Sequence, residues 1–228
     1  MSIPGQLSVP GGVTISPIWL YRNLVDIFSL SFIDAWIGDQ LILDTSGNVD
    51  KWPSMSGYNL LSNSSSNRFI LGLINNRKAL YSAAPAGKSL RANSVIVPSY
   101  VKTFITLVTM PSLPFSDYPS VIVTNVGMQA ITGYAGNSAL YPSQSIDRYV
   151  DCVLTDTVSP GIHMIEASNA GVVSQFCVGG IDGYYAGYPG RDWAAKIGCV
   201  IALSAQPNDS QRLATKKIFN RYYDSTSF

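Results

Sequence analysis

The acidic side chains of this sequence limit the hydrolytic chemistry that it can support. Glu166 is the only glutamate in the chain. A retaining glycosidase places two carboxyl groups about 5 Å apart, and no acidic residue lies two positions before or after Glu166. Asp147 and Asp151 form the nearest alternative pair, but one extended strand would separate them by roughly 13 Å. We therefore predict that the protein is not an enzyme.

The sequence contains one histidine and three loop acids that bear on metal or triad chemistry. His163 is the sole histidine, so a histidine-rich metal centre is impossible and a Ser-His-Asp triad would need this residue. On an alternating strand it shares a face with Ile165, which favours a structural role. Asp44, Asp50 and Asp182 are not clustered in the sequence, so we assign no calcium site. We expect no cofactor, since no phosphate-binding or Cys-x-x-Cys motif is present.

Tyrosines in two glycine-rich links are the candidate ligand-binding residues. Tyr184, Tyr185 and Tyr188 lie in a stretch without apolar periodicity, and Tyr134 and Tyr141 lie in an earlier link. A tyrosine ring offers an apolar face to sugar C–H groups and a hydroxyl for hydrogen bonds. The alternative is that these rings pack over their own loops or at a subunit interface.

The overall composition favours one class of protein and disfavours others. Apolar residues make up 46% of the 228 residues and charged residues only 13%, with a net charge of +1. Such a chain can bury a substantial core but carries no basic footprint for nucleic acid. We recognise neither a secretory signal nor an apolar run of membrane-spanning length. The chain has three cysteines, Cys152, Cys177 and Cys199, so at least one of them is unpaired, and each lies in an apolar run where buried free thiols are common. We therefore predict free thiols and synthesis in a reducing cytoplasm.

These side chains must be positioned by strands, because period-two apolar runs dominate the chain. Beyond the opening segment, the predicted strands are 68–74, 101–110, 120–126, 128–132, 148–154, 161–167, 172–178 and 196–203. Residues 101–110 are apolar on both faces, which predicts a central strand. A helix is predicted after Asn208 or Asp209, with Ala214, Ile218 and Tyr222 as its apolar stripe. Residues 18–30 fit either a helix or an extended run.

An ordered series of short motifs extends over most of the chain. The first half contains Phe32 to Ile37, Gly47-x-Val-x-x-Trp-x-x-x-Ser-Gly57, Asn59-Leu60, Asn76-Arg-x-Ala-Leu80 and Gly87-x-x-Leu90. The second half ends with the apolar run 193–203, a polar loop and the predicted helix. This series resembles the concanavalin A-like, laminin-G-like jelly-roll domains. The resemblance implies an all-β fold, a concanavalin A-like jelly-roll β-sandwich with one C-terminal helix.

The functional expectations follow from this resemblance and from the N-terminal residues. Residues 1–16 are rich in glycine and proline, which predicts an extended arm before one sandwich domain at 17–228. With few charges and no signal peptide, the chain resembles phage virion proteins such as head decorations, head fibres and tail receptor-binding proteins. The expected partners are virion subunits or further copies, reached through the arm, and a host surface glycan. A bacterial carbohydrate-binding module and a glycoside hydrolase of the same superfamily are the alternatives.

Overall fold

The computed structural model describes residues 15–62, 68–82, 90–92, 101–124, 131–141, 146–173, 176–180 and 193–225. The helices are α1 (Pro17–Phe28) and α2 (Asp209–Tyr222), with single 3-10 turns at Ser29–Ser31 and Gly38–Gln40. The strands are β1 (Phe32–Ile37), β2 (Ile42–Leu43), β3 (Val49–Pro53), β4 (Asn59–Ser62), β5 (Ile70–Ile74), β6 (Arg77–Tyr81), β7 (Leu90–Ala92), β8 (Val101–Thr109), β9 (Ser120–Thr124), β10 (Ile131–Thr132), β11 (Asp147–Val150), β12 (Val153–Leu154), β13 (Ile162–Val173), β14 (Phe176–Val178) and β15 (Lys196–Leu203).

The strands form two antiparallel sheets that pack face to face. Sheet A has eight strands in the order β12-β11-β13-β8-β15-β6-β5, with β1 paired to the C-terminal part of β15. Sheet B has seven strands in the order β10-β9-β14-β7-β4-β3-β2. Between them, aromatic rings that include Trp36, Trp52, Phe104 and Phe176 form the larger core. The predicted all-β, jelly-roll-like sandwich is therefore confirmed.

Both helices cover the outer face of sheet A. Leu20, Leu24 and Phe28 of α1 belong to a second core with Phe219 of α2 and Ile105 of β8. This second core explains why β8 is apolar on both faces, because its residues alternate between the two cores. The central position predicted for this strand is confirmed, since β8 lies between β13 and β15.

The ambiguous segment 18–30 forms a helix. Its N-terminus is capped by Ser16, whose side chain accepts a hydrogen bond from the Trp19 amide at 3.2 Å, and Pro17 occupies the first turn. Ile15 also packs against the second core. The last two residues of the predicted arm therefore belong to the folded part, and residues 1–14 lie outside the described residues.

One predicted strand is wrong in a way that matters for the site. Residues 148–154 do not form a single strand, because Asp151 and Cys152 take positive φ angles of 52° and 77° and turn the chain between β11 and β12. The 13 Å separation of Asp147 and Asp151 expected for one extended strand therefore does not apply. In contrast, the predicted strand 196–203 has the bounds of β15.

Helix α2 starts at its predicted cap, and its buried face coincides only in part with the predicted apolar stripe. The side chain of Asn208 accepts the Gln211 amide, and the Gln211 side chain accepts the Asn208 amide, which completes a capping box. Of the predicted stripe, Tyr222 is buried, Ile218 is half-buried and packs against the second core, and Ala214 is half-buried. The buried face consists of Arg212, Thr215, Phe219 and Tyr222.

The three cysteines are free thiols, as predicted. Cys177 and Cys199 are buried, and burial raises the pKa of the Cys199 thiol well above its usual range. Cys152 differs from the prediction because it lies in the turn after β11 and is only partly buried. Neither described helix has the length and hydropathy of a membrane span.

Candidate functional site

The earlier of the two tyrosine-bearing links forms a hairpin at the edge of sheet B. The Tyr134 amide donates to the Ala139 carbonyl at 2.9 Å, and the Tyr141 amide donates to the Thr132 carbonyl at 2.7 Å. Gly136 has a φ of +74°, which a glycine adopts at low cost, so it suits the tip of this hairpin. The hairpin, residues 132–141, therefore fixes the backbone of both predicted site residues.

A third tyrosine, from another link, joins these two. The ring centroid of Tyr118 lies 6.1 Å from that of Tyr134 and 5.6 Å from that of Tyr141, and the last two are 5.5 Å apart. Tyr141 is 38% exposed, while Tyr118 and Tyr134 are half-buried. We call the three rings the tyrosine platform. Tyr118 was not predicted, because only the tertiary fold brings its link beside the hairpin.

Backbone hydrogen bonds and one buried ring hold the two links of the platform together. The Phe115 amide donates to the Asn137 carbonyl at 3.0 Å, and the Gly136 amide donates to the Phe115 carbonyl at 2.7 Å. The Phe115 ring is buried beneath the hairpin, where a β-carbon on Gly133 would lie 2.7 Å from it. The platform therefore rests on a packed support, which a binding site requires to hold its geometry.

The remaining predicted tyrosines cannot be compared with this geometry. Tyr184, Tyr185 and Tyr188 lie outside the described residues. Their assignment to a ligand-binding surface stays a prediction.

The only glutamate is used for packing α2 onto sheet A. Glu166 is fully buried, and the Arg212 guanidinium binds both of its carboxylate oxygens, at 2.8 and 2.9 Å. The Ser168 hydroxyl donates to the same carboxylate at 2.5 Å, and the Arg212 guanidinium stacks 3.6 Å from the Tyr149 ring centroid. This carboxylate does not reach solvent, so it contacts no ligand on the surface.

His163 has the structural environment that was expected, with partners that the sequence did not identify. The imidazole is buried, and its Nδ1 lies 2.6 Å from Asp151 Oδ2. Its Nε2 lies 2.9 Å from the Ser159 carbonyl oxygen and 3.3 Å from the Ser159 hydroxyl. Because a carbonyl oxygen only accepts hydrogen bonds, the 2.9 Å contact needs a proton on Nε2, and in that form Nε2 is not a base toward Ser159.

Asp44, in the loop after β2, and Asp50, which lies on β3 and not in a loop as predicted, converge on an arginine. Arg68 Nη1 lies 3.1 Å from Asp44 Oδ2 and 2.8 Å from Asp50 Oδ1, in the position between the carboxylates that a cation would take. The pKa of Asp44 is lowered, and the largest cause is the hydrogen bond that its carboxylate accepts from the Asn48 amide. No group of three metal-binding side chains occurs in the part of the chain that the structure describes, and Asp182 lies outside that part.

Comparison with known proteins adds structural neighbours but no family. No family model and no curated protein matches the sequence. A solved structure of Trypanosoma rangeli sialidase with 2,3-difluorosialic acid, described as a covalent intermediate, has a TM-score of 0.49 and 12% identity over 99% of this chain. The structure of the same sialidase with sialic acid has a TM-score of 0.49 and 13% identity. Its structure with the inhibitor DANA has a TM-score of 0.46 and 10% identity.

These neighbours correct one prediction. The expectation that the protein is not an enzyme is contradicted, since the similar solved structures are those of a sialidase. The chain spans 36% of the length of the first two sialidase chains, so the likeness concerns only a part of them. At TM-scores below 0.5 it assigns neither a reaction nor a residue. The chain is an all-β sandwich with distant structural similarity to sialidases.

Proposed function

We propose that this protein binds carbohydrate and that the tyrosine platform is its contact surface. The observation that carries the proposal is the convergence of Tyr118, Tyr134 and Tyr141 from two links, with all three centroids within 6.1 Å of one another. Rings that only filled the core would be buried, whereas Tyr141 is exposed and the other two are half-buried. Neighbouring aromatic rings that remain in contact with water provide the surface on which a sugar ring packs.

The chemistry of the platform suits sugars better than purely apolar ligands. Each tyrosine combines an apolar ring with a hydroxyl that both donates and accepts hydrogen bonds. A sugar has the matching arrangement, with C–H groups on its faces and hydroxyls around its rim. Asp117, whose carboxylate accepts the Tyr118 amide at 2.8 Å, is exposed beside the platform and adds a hydrogen-bond acceptor.

The narrower form of this proposal is attachment of a phage virion to glycans on its host. It is supported by the sequence resemblance to virion proteins and by the glycine- and proline-rich residues 1–14. A bacterial carbohydrate-binding module is the second form. Mass spectrometry of purified particles distinguishes the two, because only a virion protein is recovered as a stoichiometric component of particles.

Substitution in the platform is expected to weaken binding without unfolding the protein. We expect Tyr141→Ala to lower affinity for the best-bound glycan by roughly 1–2 kcal/mol, which corresponds to about a five- to thirtyfold rise in Kd. Tyr141→Phe keeps the aromatic ring, so it should lose less glycan affinity than Tyr141→Ala. Binding is measured by titration calorimetry with cellohexaose, laminarihexaose, maltohexaose, chitohexaose and sialyllactose, and hydrolysis is assayed in the same samples.

The control for this experiment is a tyrosine outside the platform. Tyr21 on α1 is half-buried and packs edge-on against Phe32 at 5.3 Å. Tyr21→Ala should lower Tm and leave the glycan Kd unchanged. If Tyr141→Ala lowers Tm and no glycan Kd changes, or if none of these sugars binds the wild type, the proposal fails.

The arm is proposed to contact partner subunits. The effect of deleting it on Tm is expected to depend on the last residue removed. Removing residues 1–14 should leave Tm nearly unchanged, whereas removing 1–16 also removes the Ser16 cap and should cost about 1 kcal/mol. Both deletions should reduce co-purification with the particle or oligomer. A large fall in Tm after removal of 1–14 would show that these residues are part of the sandwich.

A further inference from the structure

A short segment connects the tyrosine platform to the buried histidine. The hairpin that carries Tyr134 and Tyr141 is paired on its outer side with residues 155–158. The Leu140 amide donates to the Asp156 carbonyl at 2.7 Å, and the Val158 amide donates to the Ser138 carbonyl at 3.1 Å. Residues 155–158 therefore act as a backing strap for the platform hairpin.

The strap is fastened at both ends. At one end, the Thr155 amide donates to the Arg148 carbonyl at 3.1 Å. At the other end, His163 Nε2 donates to the Ser159 carbonyl at 2.9 Å, and Asp151 Oδ2 holds the opposite ring nitrogen at 2.6 Å. Since both Asp151 and the Ser159 carbonyl accept hydrogen bonds, both ring nitrogens carry protons, and the fastened form contains a charged imidazolium.

The groups around His163 set the pH range of this contact. Burial of the ring opposes its charge, but the Asp151 carboxylate and the Ser159 carbonyl outweigh burial and raise the pKa of His163. Lys216 of α2, which lies 3.5 Å from the Asp151 carbonyl oxygen, opposes the charge. Cys152 is also close to this cluster, and the pKa of its thiol is raised, with burial as the largest cause.

The sign of the pH effect follows from this raised pKa. The histidine is protonated in both the folded and the unfolded chain below about pH 6.5, so the stabilisation is fully present there. It is lost as the pH rises through the folded-state pKa. Above it, Nε2 has a lone pair and no longer donates to the Ser159 carbonyl, and its remaining favourable partner is the Ser159 hydroxyl at 3.3 Å. The fastened end of the strap must then rearrange.

We propose that protonated His163 is a positioning residue for the tyrosine platform, holding the strap against the platform hairpin, so that carbohydrate binding weakens as the pH rises. This inference rests on the proposed function for its ligand, but the connection between His163 and the hairpin is tested without one. His163 acts on the strap through Ser159, the residue that directly follows it.

The structural part is tested by amide exchange against pH. Because His163 is the only histidine, its two ring C–H signals are assigned without ambiguity, and their titration by NMR gives its pKa directly. The protection of the Leu140 and Val158 amides, corrected for intrinsic exchange, should fall roughly three- to tenfold through that same pH, the range expected for one hydrogen bond. The Leu41 amide, bonded to the Gly38 carbonyl at 3.0 Å, serves as the reference and should not change.

Three variants separate positioning from general stability. His163→Gln cannot be charged, so its Leu140 and Val158 protection should be independent of pH. Asp151→Asn removes the counter-charge and should move the transition to lower pH. Ser159→Ala keeps the backbone carbonyl, so its Leu140 and Val158 protection should equal that of the wild type on the acidic side of the transition. A wild-type profile that is flat, or a His163→Gln profile with the wild-type transition, overturns the proposal.

The ligand part is tested with the five oligosaccharides named above. The Kd of the bound sugar should rise about three- to tenfold across the His163 transition in the wild type, as expected for one lost hydrogen bond, and stay flat in His163→Gln. If no sugar binds at any pH while the exchange profile follows His163, carbohydrate binding fails and the strap contact stands. If sugar binds equally at every pH, the positioning role of His163 is refuted and the platform stands.

Discussion

Arg212→Ala is expected to destabilise the protein by about 3–5 kcal/mol, because it leaves the Glu166 carboxylate buried without a counter-charge. Arg212 and Glu166 are both buried, and their two hydrogen bonds of 2.8 and 2.9 Å join α2 to the middle of sheet A. For a chain of this size the loss corresponds to a fall in Tm of roughly 10 °C. Urea unfolding followed by circular dichroism measures it.

The matched control removes both charges together. Arg212→Met with Glu166→Leu should recover most of the lost stability, since a buried ion pair and an apolar pair of similar volume are often nearly equal in stability. Arg212 also donates to exposed Asp209 at 2.9 Å, but that contact is solvent-exposed and contributes little. If Arg212→Ala and Asp209→Ala lower the free energy of unfolding by the same amount, the buried pair does not stabilise the fold.

Gly38→Ala is expected to cost at least about 3 kcal/mol, because it overpacks a place where two backbones touch. A β-carbon on Gly38 would lie 1.8 Å from the Lys78 carbonyl oxygen, a backbone atom that cannot move as a flexible side chain does. The next residue, Asp39, accepts hydrogen bonds from the Lys78 amide at 2.9 Å and the Tyr222 hydroxyl at 2.6 Å. The clash would therefore also displace the anchor of the end of α2.

Gly47→Ala provides the comparison for this experiment. A β-carbon on Gly47 would have no atom within 4 Å, but the φ of this residue is +82°. Alanine there should cost about 1 kcal/mol, the ordinary penalty for a side chain in the left-handed region. Equal Tm shifts for the two variants would show that the backbone contact at Gly38 relaxes easily.

Local patterns predicted the elements well where the residues signal their own structure. The apolar run of β15 and the two-faced run of β8 were recognised because a buried strand must be apolar where it contacts a core. The capping box of α2 was located near Asn208 because a polar cap satisfies amides that the helix leaves free. Asp151 and Cys152 gave no such signal, since neither is a glycine, and their turn was missed.

The candidate site was predicted only in part. Tyr134 and Tyr141 were selected as aromatic residues in a glycine-rich link, and the hairpin places them side by side. Tyr118 was missed because its link carries no feature that points to the hairpin. His163 was expected to be structural, but its connection through Ser159 to the platform depends on contacts between residues of different elements.

Composition, periodicity and turn residues by themselves determined an all-β sandwich with free thiols and a capped C-terminal helix, because each of these follows from the preferences of neighbouring residues. Only the tertiary structure decided which side chains meet. It buried the sole glutamate against Arg212 instead of exposing it, directed Arg68 between Asp44 and Asp50, and joined three tyrosines from two links. Such pairings depend on the register and packing of distant segments, and no spacing along the chain encodes them.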